Sequence, residues 1–131
     1  MKRLLKLFGI VGILLMVFAG CGKQPIYNIP QASVIVKKGT ENDAVYKAIK
    51  QAAISKGWVV SKVSDGVAQA SINLRKHSAS VKIKYDTNEY SITYLSSTNL
   101  DEEDGKIHSN YNGWIMNLKQ AIDVQLSILG E

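Results

Sequence analysis

Residues 68–94 read Ala-Gln-Ala-Ser-Ile-Asn-Leu-Arg-Lys-His-Ser-Ala-Ser-Val-Lys-Ile-Lys-Tyr-Asp-Thr-Asn-Glu-Tyr-Ser-Ile-Thr-Tyr. Apolar and polar side chains alternate here in three runs, which predicts strands with one buried and one solvated face. Short turns at 76–78 and 86–88 separate the runs, so we expect consecutive antiparallel hairpins. One more strand is predicted from Trp58 to Val63, before the turn Ser64-Asp65-Gly66. The sequence therefore predicts a four-stranded antiparallel meander.

Two amphipathic helices are predicted, one before the meander in the sequence and one after it. The first is expected from about residue 41 to residue 56, with Thr40 as its cap and Gly57 as its stop. The second is expected to start at Ser109 or Asn110 and to end at Gly130, because one stripe of its residues repeats at helical spacing. That stripe consists of Ile107, Tyr111, Trp114, Ile115, Leu118, Ile122, Gln125, Leu126 and Leu129.

The predicted fold class is α+β. Each helix and the sheet carry one apolar face, which fits a two-layer sandwich: an antiparallel four-stranded meander covered on one face by two helices. The β-branched run from Ala32 to Lys38 predicts a short extra N-terminal strand. On the last helix we expect Trp114, Leu118 and Ile122 to pack against the apolar face of the sheet.

The N-terminus has the layout of a secretory signal. Three cations precede an uncharged run from Leu7 to Ala19, and Phe18-Ala19-Gly20-Cys21 closes it with small residues before the only cysteine. This ending resembles the lipobox of bacterial lipoproteins, with Phe18 where that family usually has leucine. The resemblance implies that the chain is cut before Cys21 and that Cys21 carries the lipid. Gly22, in place of an aspartate, then implies sorting to the outer membrane, on its periplasmic face.

Two other interpretations of the N-terminus stay open. An uncleaved anchor is short, because spanning a bilayer takes roughly 20 apolar residues. Ordinary cleavage would leave Cys21 as a free thiol. On the lipoprotein interpretation, residues 1–20 are the signal peptide, residues 21–31 a lipidated flexible tether, and residues 32–131 a single domain. The formal charge falls from +5 to +2 when Lys2, Arg3 and Lys6 leave, which gives no case for a nucleic-acid partner.

A second resemblance covers roughly residues 40–126. The segment Ile107-His-Ser-Asn-Tyr-Asn-Gly-Trp114 leads into the predicted final helix. It resembles an Ile-His-x-x-Tyr-Asn-x-Trp segment of small uncharacterised Gram-negative lipoproteins. This likeness implies an envelope location and an α+β fold, and it carries no assigned activity.

The residues give little sign of chemistry. A lone cysteine cannot form an intramolecular disulfide. The acids from Asp101 to Asp104 are contiguous and lack the alternating spacing of a calcium loop, so we predict no metal site and no cofactor. His77 is expected in a solvated turn and His108 as a cap or loop hydrogen-bond residue. The sequence shows no nucleophile or metal-ligand partner for either histidine, so we predict that the protein is not an enzyme.

The function predicted from the sequence is a lipid-anchored periplasmic binding or scaffold module. The expected partners are the membrane, through the lipid on Cys21, and an envelope protein or peptidoglycan. The alternatives are a small envelope hydrolase and a purely structural lipoprotein. The aromatic residues are expected in the core, or else lining a cleft between helix and sheet. The candidate interaction residues are His108, Asn110, Tyr111, Asn112, Lys82 and Lys84.

Overall fold

The computed structural model describes residues 22–131, so the predictions for the signal peptide and for Cys21 lie outside it. Within this range no helix is long and apolar enough to cross a membrane. The described elements, in chain order, are β1 (Lys23–Pro25), β2 (Ile29–Ser33), α1 (Asn42–Ser55), β3 (Trp58–Ser64), β4 (Val67–Leu74), β5 (His77–Tyr85), β6 (Glu89–Thr98), β7 (Lys106–His108) and α2 (Ser109–Leu129).

The main sheet is antiparallel and has five strands, in the order β2-β6-β5-β4-β3. Strands β3 to β6 form the predicted meander, and each turn falls within a few residues of its predicted place. The tight turn between β3 and β4 contains Gly66 at φ +81°. A Cβ there would lie 3.1 Å from the backbone oxygen of Tyr85, so both the backbone angle and the space favour glycine.

The fifth strand is the extra N-terminal strand, which lies earlier in the chain than predicted. It covers Ile29–Ser33 rather than 32–38, and it pairs with β6 through Ala32 opposite Tyr90. The start of this strand was missed because Pro30 lies within it, and a proline is more typical of a linker than of a strand. A proline is tolerated here because β2 is an edge strand, where its missing N–H need not pair with a neighbour.

The prediction of a flexible tether over residues 21–31 needs correction in its described part. Lys23–Pro25 pairs with β7 in a two-stranded ribbon, with Lys23 opposite His108 and Pro25 opposite Lys106. The Ile26 amide then donates to the Gly105 carbonyl at 2.9 Å. Together with β2, this ribbon ties the N-terminal segment to the domain almost from its first described residue.

Both helices occur close to where the sequence predicts them, but the N-cap of α1 differs from the prediction, whereas His108 takes the capping role that was expected for it. The N-cap of α1 is Glu41 rather than Thr40, and it makes no side-chain capping bond. At α2 the cap is His108, whose side chain accepts a hydrogen bond from the Asn110 amide. Gly130 follows the last turn of α2, as predicted.

The two helices pack on the same face of the sheet and enclose one core. Tyr46 of α1 lies 5.9 Å from Tyr85 between ring centroids, and Tyr111 of α2 meets Tyr94 edge-on at 5.6 Å. Leu118 and Ile122 are fully buried, as predicted. Trp114 packs against this core but is only partly buried, so it is less buried than Leu118 and Ile122, with which it was grouped.

Candidate functional site

Three features of the described chain bear on function: the joint that holds the N-terminal segment, the uncovered face of the sheet, and a groove beside α2. The predicted lipid-attachment residue, Cys21, precedes all of them in the sequence. Only exposed Gly22 separates it from Lys23, the first paired residue of β1.

The joint is formed by residues 107–114, the segment that leads into the last helix and contains its first turn. The Asn112 side chain bridges to the N-terminal segment, since its Oδ1 accepts from the Tyr27 amide at 3.0 Å and its Nδ2 donates to the Pro25 carbonyl at 3.0 Å. The same Nδ2 donates to the Gln24 side chain at 3.3 Å. Asn112 therefore fastens β1 and the following residues to the first turn of α2.

His108 and Asn110 also act within this joint. His108 Nδ1 accepts from the Asn110 amide at 3.1 Å, which requires that Nδ1 carry no proton. This bond satisfies one of the free N–H groups of the first helical turn. The side chain of Asn110 is exposed. Of the two, Asn110 is thus the residue more open to a partner.

Tyr111 is fully buried, so the prediction that it contacts a partner needs correction. Its hydroxyl finds no hydrogen-bond partner among the described residues, and burial raises the pKa of this phenol. The edge-on contact with Tyr94 places the ring in the core beneath the joint. Tyr111 therefore supports the start of α2 rather than presenting itself at the surface.

We term the face of the sheet that the helices leave uncovered the open face; it is polar in its central rows and carries Val59 and Val67 toward the β3 side. Cross-strand pairing aligns its side chains in rows on β4, β5 and β6. One row is Ser71, Ser80 and Ser96; the next is Gln69, Lys82 and Thr93; the third includes Lys84 and Ser91. The first two rows hold only hydroxyl, amide and ammonium groups, and the third also includes Val67 opposite Lys84. Glu89 lies beyond them, at the start of β6.

Lys82 and Lys84 are the candidate interaction residues that the structure leaves accessible on this face. They lie two positions apart on β5, so their side chains leave the sheet on the same side. Neither forms a salt bridge with the described residues. Their neighbours Ser71 and Ser80 bond to each other at 2.8 Å between hydroxyl oxygens. The open face can thus accept a flat partner that carries negative charge.

A groove of about 560 Å³ runs between α2 and the N-terminal segment, with Tyr27 on one wall and Met116 on the other. The Asp123 carboxylate, which also lines it, accepts from the Tyr90 hydroxyl at 2.5 Å and from Lys119 Nζ at 2.6 Å. Burial, and then this bond to Asp123, raise the pKa of the Tyr90 phenol.

The remaining candidates for chemistry lie apart from one another. His77 is exposed, and its Nδ1 lies 2.8 Å from the Asn99 carbonyl oxygen. The acids 101–104 are exposed, and Glu103 pairs with Lys23 at 3.5 Å. Among residues 22–131 there is no group of three or more histidine, cysteine, aspartate or glutamate side chains that could hold a metal ion.

Comparisons with models of protein families, with curated proteins and with solved structures gave no match. The lipoprotein resemblances therefore rest on the residues of this sequence.

Two features were not predicted from the sequence: the contacts of Asn112 and the exposed apolar residues of α2. The role of Asn112 depends on Tyr27 and Pro25, which are more than eighty residues away along the chain. The exposed apolar residues of α2 could have been recognised from their spacing in the sequence. Met116, Val124 and Ile128 recur at multiples of four, outside the stripe that was assigned to the core.

Proposed function

We propose that this protein is a lipid-anchored binding module of the bacterial envelope. It is attached through Cys21 to the periplasmic face of the outer membrane, and it binds its partner with the open face of the sheet. The observation that carries the binding part is the composition of that face. Its central rows are polar and hold Lys82 and Lys84 without a paired carboxylate.

The anchoring part is supported by the sequence signal at Cys21 and by the fold that follows it. Since one acyl chain gives only marginal membrane binding, stable attachment takes more than one chain, as the lipoprotein resemblance implies. The described domain supplies no membrane-spanning helix of its own. A gradient separation of membranes tests the sorting implied by Gly22. Recovery with outer-membrane markers is expected, and recovery with inner-membrane markers would refute it.

The partner expected on the open face bears carboxylates. Both an acidic patch on an envelope protein and the peptide stems of peptidoglycan supply such groups. Lysine pairs attract them over about a Debye length, roughly 8 Å at physiological ionic strength, so binding should weaken as salt is raised. A crosslinked protein band and retention on purified cell-wall sacculi distinguish the two sources.

A photo-crosslinking residue at Thr93, in the middle of the open face, tests this in intact envelopes. The control position is Gln51, which is exposed on α1 on the other side of the sheet. We expect a crosslinked product from Thr93 and none from Gln51. The double change Lys82→Glu and Lys84→Glu should abolish the product, whereas Lys50→Glu and Lys56→Glu, at exposed lysines of and just after α1 that also form no salt bridge among the described residues, should keep it. Equal products from both positions, or none from Thr93, would refute the open face as the binding site.

A further inference from the structure

The outward side of α2 is unusual for a helix exposed to water. In a surface helix of a globular protein, charged and polar residues normally cover the side opposite the core. Helix α2 has twenty-one residues and only two charges, Lys119 and Asp123, which pair with each other at 2.6 Å. The outward side is therefore left without a free charge along the whole helix.

Apolar side chains protrude from that uncharged side, among the uncharged polar residues Asn117, Gln120 and Ser127. Met116, Val124 and Ile128 are 60%, 56% and 54% exposed, and exposed Gln120 lies between the first two at helical spacing. Val124 and Met116 line the same groove as the exposed ring of Tyr27. We call these residues, Tyr27, Met116, Gln120, Val124 and Ile128, the α2 surface.

The N-terminal segment runs beside α2 from one end to the other. Lys23 pairs with His108 at the start of the helix, and the Lys37 amide donates to the Leu129 carbonyl at 3.0 Å near its end. The helix measures about 30 Å at 1.5 Å per residue. The chain therefore enters the domain at the start of α2, and the α2 surface begins about two turns further along the helix.

We propose that the α2 surface lies against the lipid bilayer. This inference rests on the proposed lipid at Cys21. The chain between Cys21 and Lys23 can span at most about 7 Å, so a lipid there holds the beginning of α2 at the membrane. An uncharged helix side with protruding apolar residues then lowers its free energy by entering the boundary between headgroups and acyl chains.

This placement also accounts for the open face. The helices cover one side of the sheet, and the polar rows with Lys82 and Lys84 lie on the other. When α2 faces the lipid, the open face points away from the membrane, toward partners in the periplasm. The two surfaces of the module thus take separate roles.

Site-specific fluorescence on the lipidated mature protein tests the proposal. Lipidation blocks the Cys21 thiol, so an introduced cysteine is the only one that takes an environment-sensitive dye. The test position is Val124→Cys, and the matched control is Val59→Cys, an exposed valine on the β3 edge of the sheet's uncovered side. Vesicles contain phosphatidylethanolamine and phosphatidylglycerol, with or without brominated acyl chains.

We expect the dye at 124 to shift to the blue and to be quenched by brominated lipid, and the dye at 59 to do neither. Unquenched dyes at both positions on vesicles that carry the protein would overturn the α2 surface and leave the anchor standing. Shielding of position 124 from aqueous iodide without quenching by brominated lipid would mean that a second copy or another protein covers it, which also overturns the proposal. If the protein fails to float with vesicles, the lipid anchor at Cys21 is refuted, and the membrane contact of the α2 surface is refuted with it.

Discussion

Replacing Asn112 with alanine should loosen the N-terminal segment from the domain. The change removes the bonds to the Tyr27 amide, the Pro25 carbonyl and the Gln24 side chain. Each such bond contributes about 0.5 to 1.5 kcal/mol net, and exposure to solvent keeps these near the low end. We therefore expect a loss of about 1 to 2 kcal/mol.

The free energy of unfolding that Asn112→Ala can remove is limited, because only β1 and the residues after it depend on this side chain. Strand β1 has three residues and pairs only with β7, so it can detach while the main sheet stays intact. Global stability then falls by no more than the free energy that docks β1. The Tyr27 amide, which donates directly to Asn112, reports this opening. Its hydrogen exchange should accelerate by roughly 5- to 30-fold for a loss of that size.

Asn117→Ala is the matched control. Asn117 is on the same helix, is exposed, and makes no side-chain hydrogen bond with residues 22–131. Both changes gain the same helix propensity, so their difference isolates the joint. Thermal melts should differ by about 4 to 8 °C per kcal/mol for a domain near this size. Equal melting temperatures, together with equal exchange at Tyr27, would refute the role assigned to Asn112.

Three further predictions concern the core. Leu118→Ala, at a fully buried position, should cost about 2 to 5 kcal/mol in urea unfolding. Trp114→Ala should cost less because that ring is only partly buried; the reverse order would contradict the packing. Tyr90→Phe should destabilise by about 1 to 2 kcal/mol, since it removes the bond to Asp123. Tyr111→Phe should be neutral or stabilising, because its hydroxyl has no partner among the described residues, and an equal loss from both changes would refute this distinction. Stability should fall as the pH rises above about 10, where the phenols ionise in the unfolded chain while burial keeps the pKa values of Tyr90 and Tyr111 higher in the fold. Alkaline titration followed by circular dichroism measures this fall, and a flat profile up to pH about 11 would contradict it.

The sequence predicts the meander well because its signal is local. Alternation along β4 and β5 depends only on neighbouring residues, and turns such as that at Gly66 are marked by their composition. Burial of Ala68, Ala70, Val81 and Ile83 follows directly from the same alternation.

The N-terminal segment could not be predicted in the same way. Its partners, β6 and β7, lie far along the chain, and nothing in the local composition reveals a long-range pairing. Pro25 and Pro30 made it resemble a linker, whereas edge strands accept them. Trp114 is less buried than expected because helical spacing gives the direction of a side chain only approximately, and a residue at the border of the stripe can lie at the rim of the core.

The membrane attachment of Cys21 is the central claim, and intact-mass spectrometry of the protein extracted from cell membranes tests it most directly. We predict a mature chain that begins at Cys21 and carries diacylglycerol on the thiol and an acyl group on the new amino terminus. The Cys21→Ser variant should lack this mass and should take up no label from a fatty-acid analogue. A chain that still begins at Met1, or one that begins at Cys21 with a free thiol, would contradict the account.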